Sequence, residues 1–185
     1  DPLARRADLR ESVYDLAGAL SDWDKVIAMA PDAWTFGRRA FTKRQMGRWT
    51  DAIADHREAL KLAPSVSNAI SLAGALGREG KTDEALALLT EYDDMGDEHT
   101  GIVLTRADIL AYAGKGADGL KEVDALIEEK PGDTSLLNAA CWYRARFRVD
   151  ADRTIEVCNQ AVERASNAAA VLDSRALAWV AQGNL

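Results

Sequence analysis

The sequence is short of the residues on which several classes of protein depend. It has 2 cysteines, 2 histidines and 4 prolines among 185 residues. So few cysteines and histidines exclude a disulfide framework and give no metal-ligand spacing, so we expect neither a metal nor another cofactor. No apolar run approaches the roughly 18 residues that a transmembrane helix needs, which excludes membrane insertion. No apolar leader is visible either, and the compartment stays open between cytoplasm and periplasm.

A positive charge excess is also missing. The chain has 23 basic and 30 acidic residues and a formal net charge of −7. A general nucleic-acid binder needs a basic surface, so this balance argues against nucleic acid as a partner. What the sequence has in abundance is alanine, with 34 residues. Alanine is the best helix former and proline the worst, so the composition favours an all-α protein.

A motif recurs about every 34 residues along the chain. It consists of an apolar residue followed three positions later by Arg-Ala, and it occurs at Arg6-Ala7, Arg39-Ala40, Arg106-Ala107 and Arg175-Ala176. Variants of the motif fill the two gaps, at Leu72-Ala73 and Ala140-Cys141. Three prolines, Pro31, Pro64 and Pro131, are spaced by one or two of these periods. The chain therefore contains six copies of one unit.

Each copy is predicted to be a pair of helices. The small residue of the motif is followed twelve positions later by a second small residue, as Ala40 is followed by Ala52. Small residues allow two helices to cross closely. Glycine lies between them in most copies, for example Gly47, and glycine readily adopts the left-handed conformation that ends a helix. In the fifth copy the spacing from Cys141 to Thr154 is one residue longer, so we expect an insertion in its internal turn.

The period and the pattern of small, apolar and proline positions resemble the tetratricopeptide repeat. The second copy fits best, and its matching positions are Phe36, Ala40, Gly47, Trp49, Ala52, His56, Ala59 and Pro64. The resemblance implies an all-α, right-handed α-solenoid of helix-turn-helix repeats, with five repeats and the first helix of a sixth. The whole chain, 1–185, would form a single array with repeats 1–32, 33–65, 66–99, 100–133, 134–168 and a partial 169–185.

The last two copies also resemble, more loosely, the repeat arrays of some bacterial multidomain proteins. The residues that carry this likeness are Leu137-Asn138, Cys141-Trp142, Cys158 and the run 172–175. It implies that the chain is a segment of a larger bacterial protein, and the incomplete sixth copy favours the same interpretation. A catalytic domain would then lie outside this segment.

The family resemblance also implies where a partner would bind. First helices line a concave groove, and the matching positions here are Trp34, Arg38, Phe41, Arg44 and Gln45 in the second copy, Ile70 and Arg78 in the third, Leu104, Asp108 and Tyr112 in the fourth, and Asn138, Trp142 and Arg146 in the fifth. Aromatic side chains beside arginine are typical of binding hot spots. Trp34 and Trp142 could alternatively pack against neighbouring repeats. Trp23, Trp49 and Trp179 fall at core-type positions.

Two further features leave alternatives open. A basic group, Arg38, Arg39, Lys43, Arg44 and Arg48, either attracts an acidic segment or is a solvated helix face. Because only Arg38 matches the basic positions of a carboxylate clamp, a chaperone-type clamp is not expected. Cys141 and Cys158 fall on facing core positions, so they form either a disulfide or two buried thiols.

The sequence favours a non-enzymatic scaffold that binds a peptide or protein segment in its concave groove. No nucleophile, base and carboxylate stand in a spacing that indicates a catalytic site. Two alternatives are self-association of the chain through the apolar end left by the half repeat, and a role as the accessory arm of a larger enzyme. The partner, the oligomeric state and the flanking domains are not determined by the sequence.

Overall fold

The computed structural model describes residues 1–93, 98–165 and 169–183, and these ranges contain eleven α-helices and no β-strand. In chain order the helices are α1 (Pro2–Ser12), α2 (Leu16–Met29), α3 (Ala33–Gln45), α4 (Trp49–Leu62), α5 (Val66–Arg78), α6 (Thr82–Tyr92), α7 (His99–Tyr112), α8 (Gly116–Glu129), α9 (Thr134–Phe147), α10 (Ala151–Arg164) and α11 (Ala169–Ala181). They form five hairpins followed by one further helix. The predicted all-α helical repeat is therefore confirmed.

The chain divides into two compact units, Asp1–Gly96 and Asp97–Leu185. In the first unit the hairpins α1–α2, α3–α4 and α5–α6 stack through contacts of α2 with α3 and of α4 with α5. In the second unit α9 packs on α8 and α10, and α11 packs on both helices of the α9–α10 hairpin. Each unit therefore encloses buried apolar residues of its own.

Small residues lie where the two helices of a hairpin cross. In the first unit these are Ala7, Ala19, Ala40, Ala52, Ala73 and Ala85, and all are fully buried. In the second unit the crossing of α7 and α8 is closer. A Cβ atom on Gly119 would lie 2.8 Å from the Cα of Ala107, so a larger residue would push these two helices apart.

The turns within the hairpins are three residues long, and most depend on a left-handed residue. Gly47, Gly80 and Gly114 occupy the middle of their turns with φ between 72° and 76°, as their spacing predicted. Tyr14 fills the same position in the first hairpin with φ 60° and is 79% exposed. A tyrosine in this conformation is unusual, because its Cβ crowds the backbone.

The fifth hairpin departs from the others, and the prediction of an insertion in its turn is wrong. Its turn, 148–150, keeps three residues. Helix α9 ends six residues after Cys141, whereas the first helices of the other hairpins end five residues after the equivalent small residue. Two residues of this turn, Arg148 and Asp150, have left-handed φ values of 53° and 49°. The extra residue is absorbed by the helix, because one more residue of α-helix keeps all its backbone hydrogen bonds.

A disulfide bond joins the two helices of the same hairpin. It links Cys141 on α9 to Cys158 on α10, with 4.9 Å between the two Cα atoms. Both cysteines are fully buried. The bond fixes the position of α9 against α10 directly beside Trp142.

Three hairpins are closed by an ion pair between an arginine of the first helix and a carboxylate sixteen positions later. The pairs are Arg6 with Asp22, Arg39 with Asp55 and Arg106 with Glu122. Asp22 is fully buried and accepts hydrogen bonds from Arg6 Nε at 2.8 Å and Nη2 at 2.7 Å. These bonds hold the pKa of the Asp22 carboxyl below its ordinary value. The arginine of the Arg-Ala motif therefore has a structural partner that the sequence did not reveal.

The tryptophans predicted to be core residues differ in their surroundings. Trp23 is fully buried, as predicted, and Trp49 is half-buried. The prediction for Trp179 is wrong, because its side chain is 44% exposed. It lies on a side of α11 that no described helix covers, with the Arg175 guanidinium 4.9 Å from its ring centroid. None of the helices in the described ranges combines the length and apolarity needed to cross a bilayer.

Candidate functional site

The residues predicted to line a binding groove all lie on first helices of hairpins, and none of them is buried. In the first unit they are Trp34, Arg38, Phe41, Arg44 and Gln45 on α3 and Ile70 and Arg78 on α5, and in the second unit Leu104, Asp108 and Tyr112 on α7 and Asn138, Trp142 and Arg146 on α9. They form one set of residues in each unit, and the two sets are described separately.

In the first unit Phe41 is fixed by Arg38. Phe41 is 42% exposed, and the guanidinium carbon of Arg38 lies 5.5 Å from its ring centroid. The same guanidinium lies 5.5 Å from the buried ring of Trp23. Its Nη2 donates to Asp8 Oδ1 at 2.6 Å and to Glu11 Oε2 at 2.5 Å. Arg38 is therefore committed to the protein itself and orients Phe41 for contact with a partner.

Glu11 is the residue on which this arrangement depends, and sequence reasoning missed it. Its side chain is buried on α1, where it accepts hydrogen bonds from Trp23 Nε1 at 3.1 Å, from Thr42 Oγ1 and from Arg38. A glutamate at the end of an amphipathic helix ordinarily faces water. Nothing in the local sequence distinguishes Glu11 from such a residue.

Four of the five members of the basic group, Arg38, Arg39, Lys43 and Arg48, form ion pairs within the first unit. Their carboxylate partners are Asp8 and Glu11 for Arg38, Asp24 and Asp55 for Arg39, Asp55 for Lys43, and Asp51 for Arg48. Lys43 is itself buried, with Nζ 2.6 Å from Asp55 Oδ2. The sequence predicted the cations correctly but not the acidic residues that face them from other turns and helices.

The fifth member of that group, Arg44, stacks on an aromatic ring instead. Its guanidinium lies 5.4 Å from the ring centroid of Trp49, and Arg78 on α5 lies 5.5 Å from the same ring. Between these positions, Gly74 faces open space, since a Cβ placed on it would meet no atom within 4 Å. Trp49 thus joins the two arginines of the predicted set, and the space at Gly74 is accessible to a partner.

In the second unit two of the predicted residues, Tyr112 and Trp142, contact Arg146. Its Nη2 donates to the Tyr112 hydroxyl at 2.9 Å, which links α9 to α7. Its guanidinium carbon lies 5.0 Å from the ring centroid of Trp142 and 5.7 Å from that of Phe147. A cation held over aromatic faces in this way gives a preorganised surface that is both apolar and polar.

Two aromatic residues of this surface were not predicted. Tyr143 contacts Trp142 edge to face, with 5.0 Å between centroids and 77° between planes. Phe147 packs edge to face on Tyr112 and stacks on Tyr143. The signal was present in the sequence, because Tyr143 and Phe147 are four positions apart and share a helix face.

Asn138 carries a polar atom of the second unit that lacks a partner. Its Oδ1 is buried and accepts no hydrogen bond within the part of the chain that the structure describes. A buried acceptor without a donor is destabilising, so this oxygen lowers the stability of the second unit.

The two histidines do not form a reactive site in the described residues. His56 is buried on α4, and burial together with the nearby charge of Arg44 lowers its pKa to about 4. His99 is exposed at the start of α7. No group of three or more His, Cys, Asp or Glu side chains among the described residues could hold a metal ion.

Comparison with known proteins places this architecture. No family model and no curated protein sequence matches the chain. Solved structures do match. The chain is similar to TTC0263, a thermophilic tetratricopeptide-repeat protein of Thermus thermophilus, at 16% identity over 98% of this chain and 97% of that one, with a TM-score of 0.70.

Two further solved structures show the same likeness. PilW, a widely conserved type IV pilus biogenesis factor, has 16% identity over 98% of this chain and 85% of its own, with a TM-score of 0.70. YrrB, a tetratricopeptide-repeat protein with an unusual peptide-binding site, has 19% identity over 95% and 91%, with a TM-score of 0.56. The chain therefore has the tetratricopeptide-repeat fold.

Proposed function

We propose that this protein is a non-enzymatic scaffold that binds a peptide or protein segment on the first-helix faces of its hairpins. The observation that carries the proposal is a pair of aromatic anchors at equivalent positions of the repeat, the exposed Phe41 and the half-buried Trp142. Each directly follows the small residue at which the helices cross, Ala40 or Cys141, and each is contacted by an arginine of its own helix. The peptide-binding site of the similar structure YrrB supports the same class of partner.

The surroundings of both anchors favour binding over packing. Phe41 is 42% exposed although Arg38 and its carboxylates hold it in one place, and Trp142 is half-buried beneath Arg146. Aromatic side chains that are already ordered lose little conformational entropy when a partner covers them.

Replacing either anchor by alanine is expected to weaken binding about tenfold or more while leaving the fold intact, since hot-spot aromatics contribute about 2 kcal/mol or more. For each anchor separately, the measurement uses a peptide selected from a random display library against the protein, with its affinity for the parent protein and for the corresponding variant, Phe41→Ala or Trp142→Ala, determined by calorimetry. Circular dichroism verifies the helix content of each variant.

The matched control is Leu62→Ala, which removes an apolar side chain that is 51% exposed at the end of a second helix, α4. This variant should bind like the parent protein. If Phe41→Ala and Trp142→Ala both unfold, these residues belong to the core and the assignment of the first-helix face is wrong. If they fold and bind unchanged, the proposed site is wrong.

A second candidate function, self-association, is favoured by the surface of α11. Four apolar residues of this helix are more than a third exposed, Leu172 at 42%, Leu177 at 36%, Trp179 at 44% and Val180 at 54%. An apolar face of this kind is suited to contact with a second copy of the chain. Light scattering over a range of concentrations tests it, and Val180→Glu should shift any dimer toward monomer. A strict monomer at high concentration would remove this candidate.

A further inference from the structure

A cavity of about 320 Å³ lies beside Trp34 in the first unit. It is enclosed by α1, the end of α2 and the start of α3, and its apolar lining includes Ala4, Val26, Ala30 and Trp34. Ligand pockets generally start at about 300 Å³, so this space suits a single side chain and not a larger molecule.

Trp34 presents an ordered aromatic surface to the cavity. Its ring is 56% exposed, and its position is fixed by an edge-to-face contact with the buried Trp23, with 5.6 Å between centroids and 81° between planes. An exposed tryptophan ring attracts a cation through its quadrupole, and tryptophan is the strongest of the aromatic residues in this respect.

The charges around the cavity are mostly negative. Asp1, Asp8 and Asp32 line it together with one basic side chain, Arg5. Each carboxylate uses Oδ1 within the protein, toward Leu3 N, Arg38 Nη2 and Thr35 N respectively. In the described part of the chain, no protein donor reaches their Oδ2 atoms.

The end of α2 adds to the negative potential. The helix closes with Ala30 as its C-cap at the cavity wall, and no basic residue occupies its last turn. The carbonyl groups at a helix C-terminus carry a partial negative charge that is usually balanced by a cation. The last turn of α2 has no lysine or arginine to balance this partial negative charge.

We propose that this cavity binds a lysine side chain of the partner segment, with the aliphatic stem against Ala4, Val26 and Trp34 and the ammonium group among the carboxylates. The inference deepens the proposed scaffold function and rests on it. It requires that the partner segment carry a cationic residue. This requirement is unexpected from the sequence, because α3, which begins beside the cavity, is rich in arginine. The selectivity follows because Arg38 and Arg39 of α3 are paired with carboxylates, whereas the cavity is lined by three acidic side chains and one basic side chain.

The test is a nuclear magnetic resonance titration of the full chain, with the indole N–H of Trp34 as the reporter. The probe is an acetylated and amidated pentapeptide, Ala-Ala-Lys-Ala-Ala, compared with the same peptide carrying norleucine or glutamate in place of lysine. Norleucine keeps the apolar stem and lacks the charge. We expect the lysine peptide to shift the Trp34 signal saturably and to bind about 3- to 10-fold more tightly than the norleucine peptide.

Two variants sharpen the result. Trp34→Leu keeps an apolar wall and removes the aromatic face, so the preference for lysine over norleucine, followed in this variant through the backbone amide signals of Ala4 and Val26, should fall about threefold. Arg5→Gln removes the one basic side chain of the cavity lining and should tighten binding of the lysine peptide at low salt, with the gain lost at high salt.

Equal binding of the lysine and norleucine peptides, tighter binding of the glutamate peptide, or no shift of Trp34 with any peptide would each overturn the proposal. These outcomes are distinct from failure of the scaffold function, which is measured with the selected peptide and the Phe41 and Trp142 variants. If the selected peptide depends on those anchors and the lysine probe leaves Trp34 unchanged, only the cavity assignment is wrong.

Discussion

Replacing Asp124 by alanine is expected to lower the free energy of unfolding of the second unit by about 3–5 kcal/mol. The reason is Arg144 on α9, which is only 2% exposed although its side chain is charged. Its Nη2 donates to both carboxylate oxygens of Asp124 on α8, and the remaining carboxylate nearby, Asp150, lies 3.8 Å from Nη1. Without Asp124, a buried guanidinium keeps only that distant partner.

Hydrogen exchange measured by mass spectrometry would localise this effect, because the loss of protection should be confined to α8, α9 and α10. Repeating the exchange measurement on α8, α9 and α10 over a series of urea concentrations gives its magnitude. Both measurements report on the second unit directly, so they do not require the two units to unfold together.

The control exploits the unequal burial of the two partners. The Asp124 side chain is 34% exposed, so in Arg144→Met the carboxylate is left free to hydrate and the loss should be about 1 kcal/mol. The double variant Asp124→Ala/Arg144→Met should recover most of the stability that Asp124→Ala loses, since it removes the uncompensated charge. If Asp124→Ala costs no more than Arg144→Met, Arg144 is hydrated in solution and the argument is wrong.

Acidification from pH 6.5 to pH 4 is expected to destabilise the first unit by about 3 kcal/mol through His56 alone. Burial, followed by the charge of Arg44, lowers the pKa of His56 from 6.5 to about 4, while Asp55 partly opposes this shift. The unfolded chain therefore binds a proton through His56 in this range and the folded chain does not. Stability falls as the pH falls below 6.5, by at most about 1.4 kcal/mol per pH unit, and the contribution levels off below pH 4.

Urea denaturation at pH 7.5, 6, 5 and 4.5 measures this slope. His56→Phe keeps an aromatic ring and removes the titrating group, so the slope should be absent from that variant in the same range. The buried Asp22 carboxyl, whose pKa Arg6 lowers from 3.8, adds acid sensitivity as the pH approaches 3.8, and His56→Phe retains this contribution, so the difference between the two proteins isolates His56. A slope that persists in His56→Phe would show that another group titrates between pH 4 and 6.5.

The helix-turn-helix pattern could be predicted because its signals are local. The alanines at the crossings are small for the same steric reason in every hairpin, and Gly47, Gly80 and Gly114 end first helices through their own backbone conformation. The extra residue of the fifth hairpin was predicted in the turn but lies in α9. A longer helix and a longer turn give the same spacing between Cys141 and Thr154, so the sequence does not distinguish them.

The candidate site could be predicted only in part. Register alone placed Phe41 and Trp142 on first helices, and the structure locates them there with solvent exposure. Register did not reveal that Arg38 is occupied by Asp8 and Glu11, because those carboxylates belong to another helix about thirty residues earlier.

The sequence by itself determined the class of fold, the period of the repeat and the helix on which each candidate residue lies. These features follow from spacing, and spacing is a property of the chain. Only the tertiary structure decided which charges are available, that Glu11 and Arg144 are buried, that Trp179 is exposed, and that the space beside Trp34 is lined by carboxylates. The physical reason is that the strength of a charge interaction depends on distance and burial in three dimensions, and neither can be read from positions along the chain.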